Sequence, residues 1–136
     1  MKNRSEIYVA LVDDDNATNY LNQIILKQSG ILRSPNVFIN GRSCLDFIQE
    51  KINGKDDLPD LIFLDLNMPG MDGWEFINEY EKMFEHYPNK YPILIILSTS
   101  QNPADLKRAA ESSLVSHYLV KPLEKEKIFE CFDRYF

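Results

Sequence analysis

The sequence predicts an α/β domain in which helices cover both faces of a parallel sheet. Short apolar runs alternate with longer segments of helical period along the 136 residues, which is the pattern of successive β-α units. The apolar runs are continuous rather than alternating, as expected of strands that are buried on both sides of a parallel sheet. A chain of this length is expected to form one domain with a core of its own.

Five strands are predicted. The fourth apolar run is the strongest and is expected to lie centrally in the sheet. The fifth run is weaker and is preceded by Ser116 and His117, which is typical of a strand at the edge. The predicted strands are residues 7–12, 37–39, 61–64, 93–97 and 118–120.

Helical periodicity predicts a helix after each strand. The first helix ends near Gly30, and the third begins near Gly73 and ends before a turn at residues 87–90. Asn102 and Pro103 read as the N-cap and first position of the fourth helix. The apolar face of the first helix is marked by Ala17, Leu21, Ile24, Ile25 and Gln28; the second by Cys44, Leu45, Ile48 and Ile52; the third by Trp74, Ile77, Tyr80 and Phe84; the fifth by Ile128, Cys131, Phe132, Tyr135 and Phe136.

Composition and charge exclude several classes of function. The net charge of −6 argues against direct binding of nucleic acid, which requires a basic face. No apolar run approaches the ~20 residues that span a bilayer, and the N-terminus lacks the apolar stretch of a signal peptide. Cys44 and Cys131 lie far apart in apolar patterns, as free thiols in a reducing cytosol would. We therefore expect a cytoplasmic protein with no membrane partner.

Polar residues follow four of the five strands at the point where each strand ends. Three carboxylates stand at residues 13–15, one at Asp65, three hydroxyls at residues 98–100, and an ammonium at Lys121. Because the carboxyl ends of parallel strands meet at one edge of the sheet, these groups are expected to converge there. Ligands of open α/β sheets bind at that edge.

Each of these groups also has an ordinary structural interpretation. A single aspartate after a strand is most often a helix N-cap, and either Asp14 or Asp15 alone would be read that way. Three in a row exceed what capping needs, and like charges in contact are costly without a cation. A single lysine is usually solvated, but Lys121 stands between an apolar strand and Pro122. The combination therefore exceeds its ordinary structural interpretations, and the acidic charge leaves a cation open as a ligand.

The stretch from Asp65 to Gly73 is the most specific signal. Together with residues 12–15, Thr99 and the Lys121-Pro122 pair, it resembles the receiver domains of response regulators in two-component signalling, of the single-domain, chemotaxis-like kind. The resemblance extends from Ile7 to Tyr135. It implies a flavodoxin-like three-layer sandwich with strand order 2-1-3-4-5.

The resemblance also implies roles for the residues at the sheet edge. Asp65 would accept a phosphoryl group from a phosphohistidine on a sensor histidine kinase or phosphotransfer protein. Thr99, rather than Ser98, would be the switch hydroxyl, since the spacing from Thr99 to Lys121 is the usual one. The implied Mg²⁺ ligands are Asp13, Asp14, Asp65 and the main-chain carbonyl of Asn67; the phosphoryl-binding and switch residues are Thr99, Lys121 and Tyr118; the residues that tune hydrolysis are Asn67 and Gln101.

Two local features follow from the same resemblance. The Lys121-Pro122 peptide bond is expected to be cis. Receiver domains commonly have Gly where Leu114 stands, at the turn that ends the fourth helix, so a left-handed residue is not expected there.

Two other functions compete with the phosphoacceptor hypothesis. Asp13 and Asp15 superficially fit the nucleophile motif of Mg²⁺-dependent phosphohydrolases of the haloacid dehalogenase type, although Ala17 stands where that class has Thr or Val. The third hypothesis is an adaptor on the same fold that works without phosphorylation.

Residues 1–136 are expected to form a single receiver domain without an output domain, so that output would pass to an unknown protein docked on the fourth helix, fifth strand and fifth helix.

Overall fold

The computed structural model describes residues 3–86 and 91–136, and within them five parallel strands form one sheet in the order β2-β1-β3-β4-β5. The predicted fold class and strand order are confirmed. The strands are Val9–Val12 (β1), Asn36–Phe38 (β2), Leu61–Leu64 (β3), Ile93–Ser98 (β4) and Val115–Val120 (β5); the helices are Asn16–Gln28 (α1), Gly41–Gly54 (α2), Gly73–Phe84 (α3), Pro103–Glu111 (α4) and Lys125–Tyr135 (α5). The predicted turn at residues 87–90 lies outside the described residues.

The core consists of one apolar cluster on each face of the sheet. Alternate residues of β3 belong to opposite clusters: Ile62 and Leu64 to one, Leu61 and Phe63 to the other. Every residue of β1 and β3 is buried, in agreement with their continuous apolar sequence. Helices α2 and α3 pack against the cluster that contains Ile62 and Leu64. Helix α5 packs against the other cluster through its buried residues, Ile128, Cys131 and Phe132. The sheet is therefore buried from both sides.

The apolar face predicted for the first helix is wrong. The buried residues of α1 are Asn19, Asn22 and Leu26, whereas Leu21 is 60% exposed and Ile24 is 37% exposed. Asn19 turns inward because its Nδ2 donates a hydrogen bond to the carbonyl oxygen of Asp13 at 2.8 Å. A buried amide with a backbone partner thus fixes the rotation of α1 and leaves apolar residues on the surface.

Strand β5 lies at the edge of the sheet, as predicted, but it begins three residues earlier than the sequence pattern suggests. Its pairing with β4 shifts register: Leu94 lies opposite Val115, and Ile95 lies opposite His117. Ser116 is therefore an extra residue, and its carbonyl oxygen accepts a hydrogen bond from the Tyr135 hydroxyl at 2.7 Å. The strand continues through this irregularity to Val120.

Side-chain caps fix the starts of the helices near the carboxyl edge of the sheet. Asn102 caps α4 by accepting from the Ala104 amide, with Pro103 at the first position, as predicted. The side chain of Asp72 caps α3 and forms a reciprocal capping box with Glu75. These caps set where the loops that precede α3 and α4 end.

The predicted cis bond between Lys121 and Pro122 is confirmed. Positive φ angles in the described residues occur at Gly30, Lys55 and Gly70, so Leu114 is not left-handed, as expected from its side chain. In the same part of the chain, no helix combines the length and the apolar character that a membrane span needs.

Candidate functional site

The charged residues predicted to converge do meet at the carboxyl edge of the sheet. Asp13 directly follows β1 and Asp65 directly follows the neighbouring strand β3, and their amides continue the strand pairing. Both aspartates are buried, with 5% and 6% of their surface exposed. Lys121 follows β5, and its amide donates to the Ser98 carbonyl at the end of β4. The ends of β1, β3 and β5 thus carry these side chains, and β4 lies between β3 and β5.

Lys121 joins the two buried carboxylates. Its Nζ donates a hydrogen bond to Asp13 Oδ2 at 2.7 Å and lies 3.5 Å from Asp65 Oδ1. Burial alone would lower the pKa of Lys121, but the hydrogen bond to Asp13 and the charges of both aspartates outweigh it and raise that pKa. Lys121 therefore remains an ammonium at neutral pH.

The environment of Asp65 disfavours its charged form. Burial is the main cause of a raised pKa for this carboxyl, and repulsion from Asp13 adds to it. Lys121 and a hydrogen bond from the Asn67 amide partly oppose the shift. A further positive charge nearby would therefore stabilise the ionised form of Asp65.

The carboxylates are close enough together to hold a metal ion. Oxygen atoms of Asp13, Asp14 and Asp65 all lie within 4.8 Å of one another. Asp13 and Asp65 share the ammonium of Lys121, and the exposed Asp14 adds a third carboxylate to the cluster, which leaves negative charge without compensation. Carboxylate oxygens are the ligands that Mg²⁺ takes in proteins, so the donor set fits this ion.

The hydroxyl groups at the end of β4 and just after it take different positions. Ser98 is fully buried, and its Oγ accepts a hydrogen bond from the Ser100 amide at 3.2 Å, whereas Thr99 is exposed. Tyr118 is half-buried, and its hydroxyl donates to the Ser100 carbonyl at 2.7 Å. Asn67 and Gln101 are both exposed on the loops that follow β3 and β4. Thr99 therefore directly follows β4, and Tyr118 lies in the neighbouring strand β5.

Asp105, Ser100 and Trp74 form a polar contact beside the site that the sequence reasoning missed. Ser100 Oγ donates to Asp105 Oδ2 at 2.7 Å, and Trp74 Nε1 donates to Asp105 Oδ1 at 3.1 Å. Trp74 and Asp105 stand in the first turns of the two helices that follow loops of the sheet edge, but no pattern in the sequence pairs them.

Gly73 allows α3 to begin directly against the backbone of Asp65. A Cβ atom on Gly73 would lie 2.7 Å from both the carbonyl oxygen of Asp65 and the Cα atom of Leu66. We expect Gly73→Ala to lower the free energy of unfolding by about 1–3 kcal/mol, because backbone atoms on both sides must shift. Urea denaturation measures this loss, and NMR shifts of the residues around Asp65 report the displacement.

The control for this substitution is Gly70→Ala in the same loop. A Cβ on Gly70 meets no atom within 4 Å, but its φ of +76° makes Ala there cost about 1 kcal/mol. Gly70→Ala should therefore destabilise the protein without moving the Asp65 signals. Equal shifts of those signals in both variants would contradict the assigned contact.

Comparison with known proteins identifies the family. The profile of the response regulator receiver domain matches residues 9–133. The probable methanogenesis regulatory protein FilR2 of Methanothrix harundinacea is 30% identical over 120 residues, which cover 88% of this chain and 75% of that protein. The response regulator Rcp1 of Synechocystis is 30% identical over 123 residues, which cover 90% and 81%. The chain also matches the sensor histidine kinase CheAY of Helicobacter pylori, but spans only 14% of it.

Solved structures agree with this result. A two-component response regulator from Cytophaga hutchinsonii is 30% identical and superposes with a TM-score of 0.85, covering 94% of this chain and 95% of that one. The Mn²⁺-bound form of Rcp1 is 29% identical, with a TM-score of 0.70 and coverage of 92% and 88%. The chain is thus a member of the response regulator receiver domain family of two-component signalling.

Proposed function

We propose that this receiver domain accepts a phosphoryl group on Asp65 from the phosphohistidine of a sensor histidine kinase or phosphotransfer protein, with Mg²⁺ as its cofactor. The observation that carries the proposal is the meeting of three carboxylates and one ammonium at the ends of neighbouring strands. Membership of the receiver family supports this function over a phosphohydrolase.

The hydrogen bonds favour Asp65 over its neighbours as the nucleophile. Both carboxylate oxygens of Asp13 are engaged, since Oδ1 accepts from the Asp15 amide at 2.9 Å and Oδ2 accepts from Lys121. Asp14 is exposed, which gives it no fixed pocket for a phosphoryl group. Asp65 is buried and has a longer, 3.5 Å contact with Lys121, so its carboxylate is the one best placed to attack.

Phosphoryl transfer to Asp65 forms one bond and breaks one. A carboxylate oxygen attacks the phosphorus atom, the phosphorus–nitrogen bond breaks, and the electron pair stays on the imidazole nitrogen of the donor. Lys121 would then pair with the phosphoryl oxygens, and the Thr99 hydroxyl would donate to one of them. Mg²⁺, held by Asp13, Asp14, Asp65 and the Asn67 carbonyl, would offset the repulsion between the two anions.

The resulting acyl phosphate is expected to hydrolyse slowly. Asn67 and Gln101, on the loops that follow β3 and β4, carry neutral amides that can position a water molecule but cannot act as strong general bases. We therefore propose that the chain is a phosphoacceptor rather than a phosphatase that turns over rapidly.

We propose that the phosphodonor docks on the surface of α1 beside the site. Tyr20 and Leu21 on α1 are 65% and 60% exposed, and Ile24 adds to the same apolar patch. A groove of about 350 Å³ runs from this patch to Lys121 and Leu123. A protein that brings its phosphohistidine to Asp65 would cover this patch, and burial of apolar surface would supply binding energy.

We propose that the signal leaves through the surface formed by α4, β5 and α5, where an unknown downstream protein would dock. Thr99 lies just before α4, and Tyr118 lies in β5 beside it. A phosphoryl group on Asp65 adds about one negative charge and three acceptor oxygens, which would draw the Thr99 hydroxyl inward. Tyr118 would then take up the space that Thr99 leaves.

The decisive experiment treats the protein with a small acyl-phosphate donor and Mg²⁺ and locates the modified residue by mass spectrometry. We expect modification at Asp65 that EDTA prevents. Modification at Asp13 with rapid release of phosphate would indicate the phosphohydrolase instead. A protein that stays unmodified while its fold is intact would indicate the phosphorylation-independent adaptor.

A further inference from the structure

Ser100, the neighbour of the exposed Thr99, is held on three sides. Its amide donates to Ser98 Oγ at 3.2 Å, and its hydroxyl donates to Asp105 Oδ2 at 2.7 Å. Its carbonyl oxygen accepts from the Tyr118 hydroxyl at 2.7 Å. Few loop residues at a surface have every polar group engaged, so the position of this loop is strongly specified.

Asp105 connects Ser100 to the first turn of α3. Its second oxygen accepts from Trp74 Nε1 at 3.1 Å, across 31 residues of sequence. The guanidinium of Arg108 stacks over the Trp74 ring, 4.5 Å from its centroid, and keeps the indole in place. The loop between β4 and α4 is thereby tied to the first turn of α3.

We propose that Ser100, Asp105 and Trp74 form a latch that holds this loop in the arrangement in which Thr99 faces solvent. Asp105 is the positioning residue of the latch, because it accepts from both other members. The inference rests on the proposed function, since the movement that the latch opposes is the approach of Thr99 to a phosphorylated Asp65.

The geometry explains why the latch would resist that approach. Thr99 and Ser100 share a peptide bond, so a displacement of the Thr99 backbone toward Asp65 must also displace Ser100. The bond from Ser100 to Asp105 is short and has a charged acceptor, which places it among the stronger hydrogen bonds of proteins. Breaking it costs free energy that the phosphoryl group must supply, so the latch raises the threshold for the response.

The test uses beryllofluoride with Mg²⁺ as a phosphoryl mimic and follows the NMR signals of residues 99–102. Ser100→Ala removes one bond of the latch, and Trp74→Phe removes the other. We expect the apparent dissociation constant for beryllofluoride to fall about tenfold in Ser100→Ala, the ratio that corresponds to about 1.4 kcal/mol. A smaller fall in the same direction is expected for Trp74→Phe.

Three further variants separate the latch from general effects on stability. Asp105→Ala should match Ser100→Ala, whereas Asp105→Asn should bind beryllofluoride with an affinity between those of wild type and Ser100→Ala, because its amide still accepts from Trp74 and donates to Ser100 but the charged acceptor is lost. Ser112→Ala removes a similar bond, from Ser112 Oγ to Glu81 Oε1 at 3.1 Å, at the other end of α4. It should leave beryllofluoride binding unchanged.

Unchanged or weaker binding by Ser100→Ala, or equal behaviour of the two Asp105 variants, would overturn the latch. Failure of the wild type to bind beryllofluoride would contradict the proposed function instead. The latch is then judged in the free protein, where hydrogen exchange of the Ser100 amide should quicken in Ser100→Ala and Asp105→Ala but not in Ser112→Ala. Unaltered exchange would overturn the latch independently of phosphorylation.

Discussion

Asp65→Asn is expected to abolish phosphorylation by a small acyl phosphate and, in Mg²⁺-free buffer at neutral pH, to stabilise the folded protein. The first effect follows because a neutral amide is not a nucleophile toward phosphorus. The second follows because burial and the charge of Asp13 raise the pKa of Asp65, so that its ionised form opposes folding. Lys121 keeps its 2.7 Å partner Asp13 in the variant.

The gain in stability should depend on pH. A carboxyl whose pKa is raised by folding binds its proton more tightly in the folded protein, so its contribution is greatest below the unfolded pKa of about 4. That contribution is lost as the pH rises through the raised pKa of Asp65. The difference in unfolding free energy between Asp65→Asn and wild type should therefore grow from low pH to neutral pH.

Urea denaturation at a series of pH values and mass spectrometry after acyl-phosphate treatment measure the two effects. Asp56→Asn is the matched control, because Asp56 is an exposed aspartate in the loop after α2 and should alter neither result. Stoichiometric labelling of Asp65→Asn, or a variant less stable than wild type at neutral pH, would contradict the assigned role and environment of Asp65.

Lys121→Met should be the most destabilising of the substitutions at the site. The lysine side chain is 17% exposed and is paired with two carboxylates that are 6% and 7% exposed. Removal of one partner leaves buried charges without compensation, which typically costs about 3–5 kcal/mol. Mg²⁺ should restore part of this loss. It should raise the free energy of unfolding more in the variant than in wild type, because it supplies the missing positive charge.

Urea denaturation in EDTA and in Mg²⁺ measures the loss of stability in Lys121→Met and its recovery by the metal ion. Lys82→Met serves as the control, because Lys82 is 71% exposed and its pair with Glu79 spans one helical turn at the surface. Such a pair is worth less than about 1 kcal/mol, and its loss should not depend on Mg²⁺. A Lys121→Met protein as stable as wild type in EDTA would show that the two carboxylates do not need the ammonium.

The convergence of the charged residues could be predicted from the sequence because it depends only on strand direction. Once the apolar runs are read as parallel strands, Asp13, Asp65 and Lys121 must lie at the same edge. Which groups touch depends on strand order and side-chain reach, and Lys121 proves to lie closer to Asp13 than to Asp65. No feature of the local sequence encodes that difference.

The rotation of α1 and the contact through Asp105 escaped prediction for a related reason. Periodicity shows which side chains are apolar. It does not show that the side-chain amide of Asn19 donates a hydrogen bond to the buried carbonyl oxygen of Asp13. Likewise, Trp74 and Asp105 are distant in sequence, and each alone fits its own helix. Specific polar partners decide both features, six residues apart in one case and 31 in the other, and hydrophobic periodicity does not reveal such pairs.

The extra residue in β5 decides on which face of the sheet Tyr118 lies. Val115 and Tyr118 are three residues apart, yet both pack against the same apolar cluster, which a regular strand does not permit because alternate side chains point to opposite faces. The extra residue, Ser116, shifts this alternation by one position, so that Tyr118 points to the same face of the sheet as Val115. The number of residues in this strand therefore matters more than the chemical identity of residue 116. Substitutions at Ser116 that keep the strand would leave Tyr118 on its face of the sheet, whereas a deletion would turn Tyr118 away from Ser100 while every other residue of the sequence stayed the same.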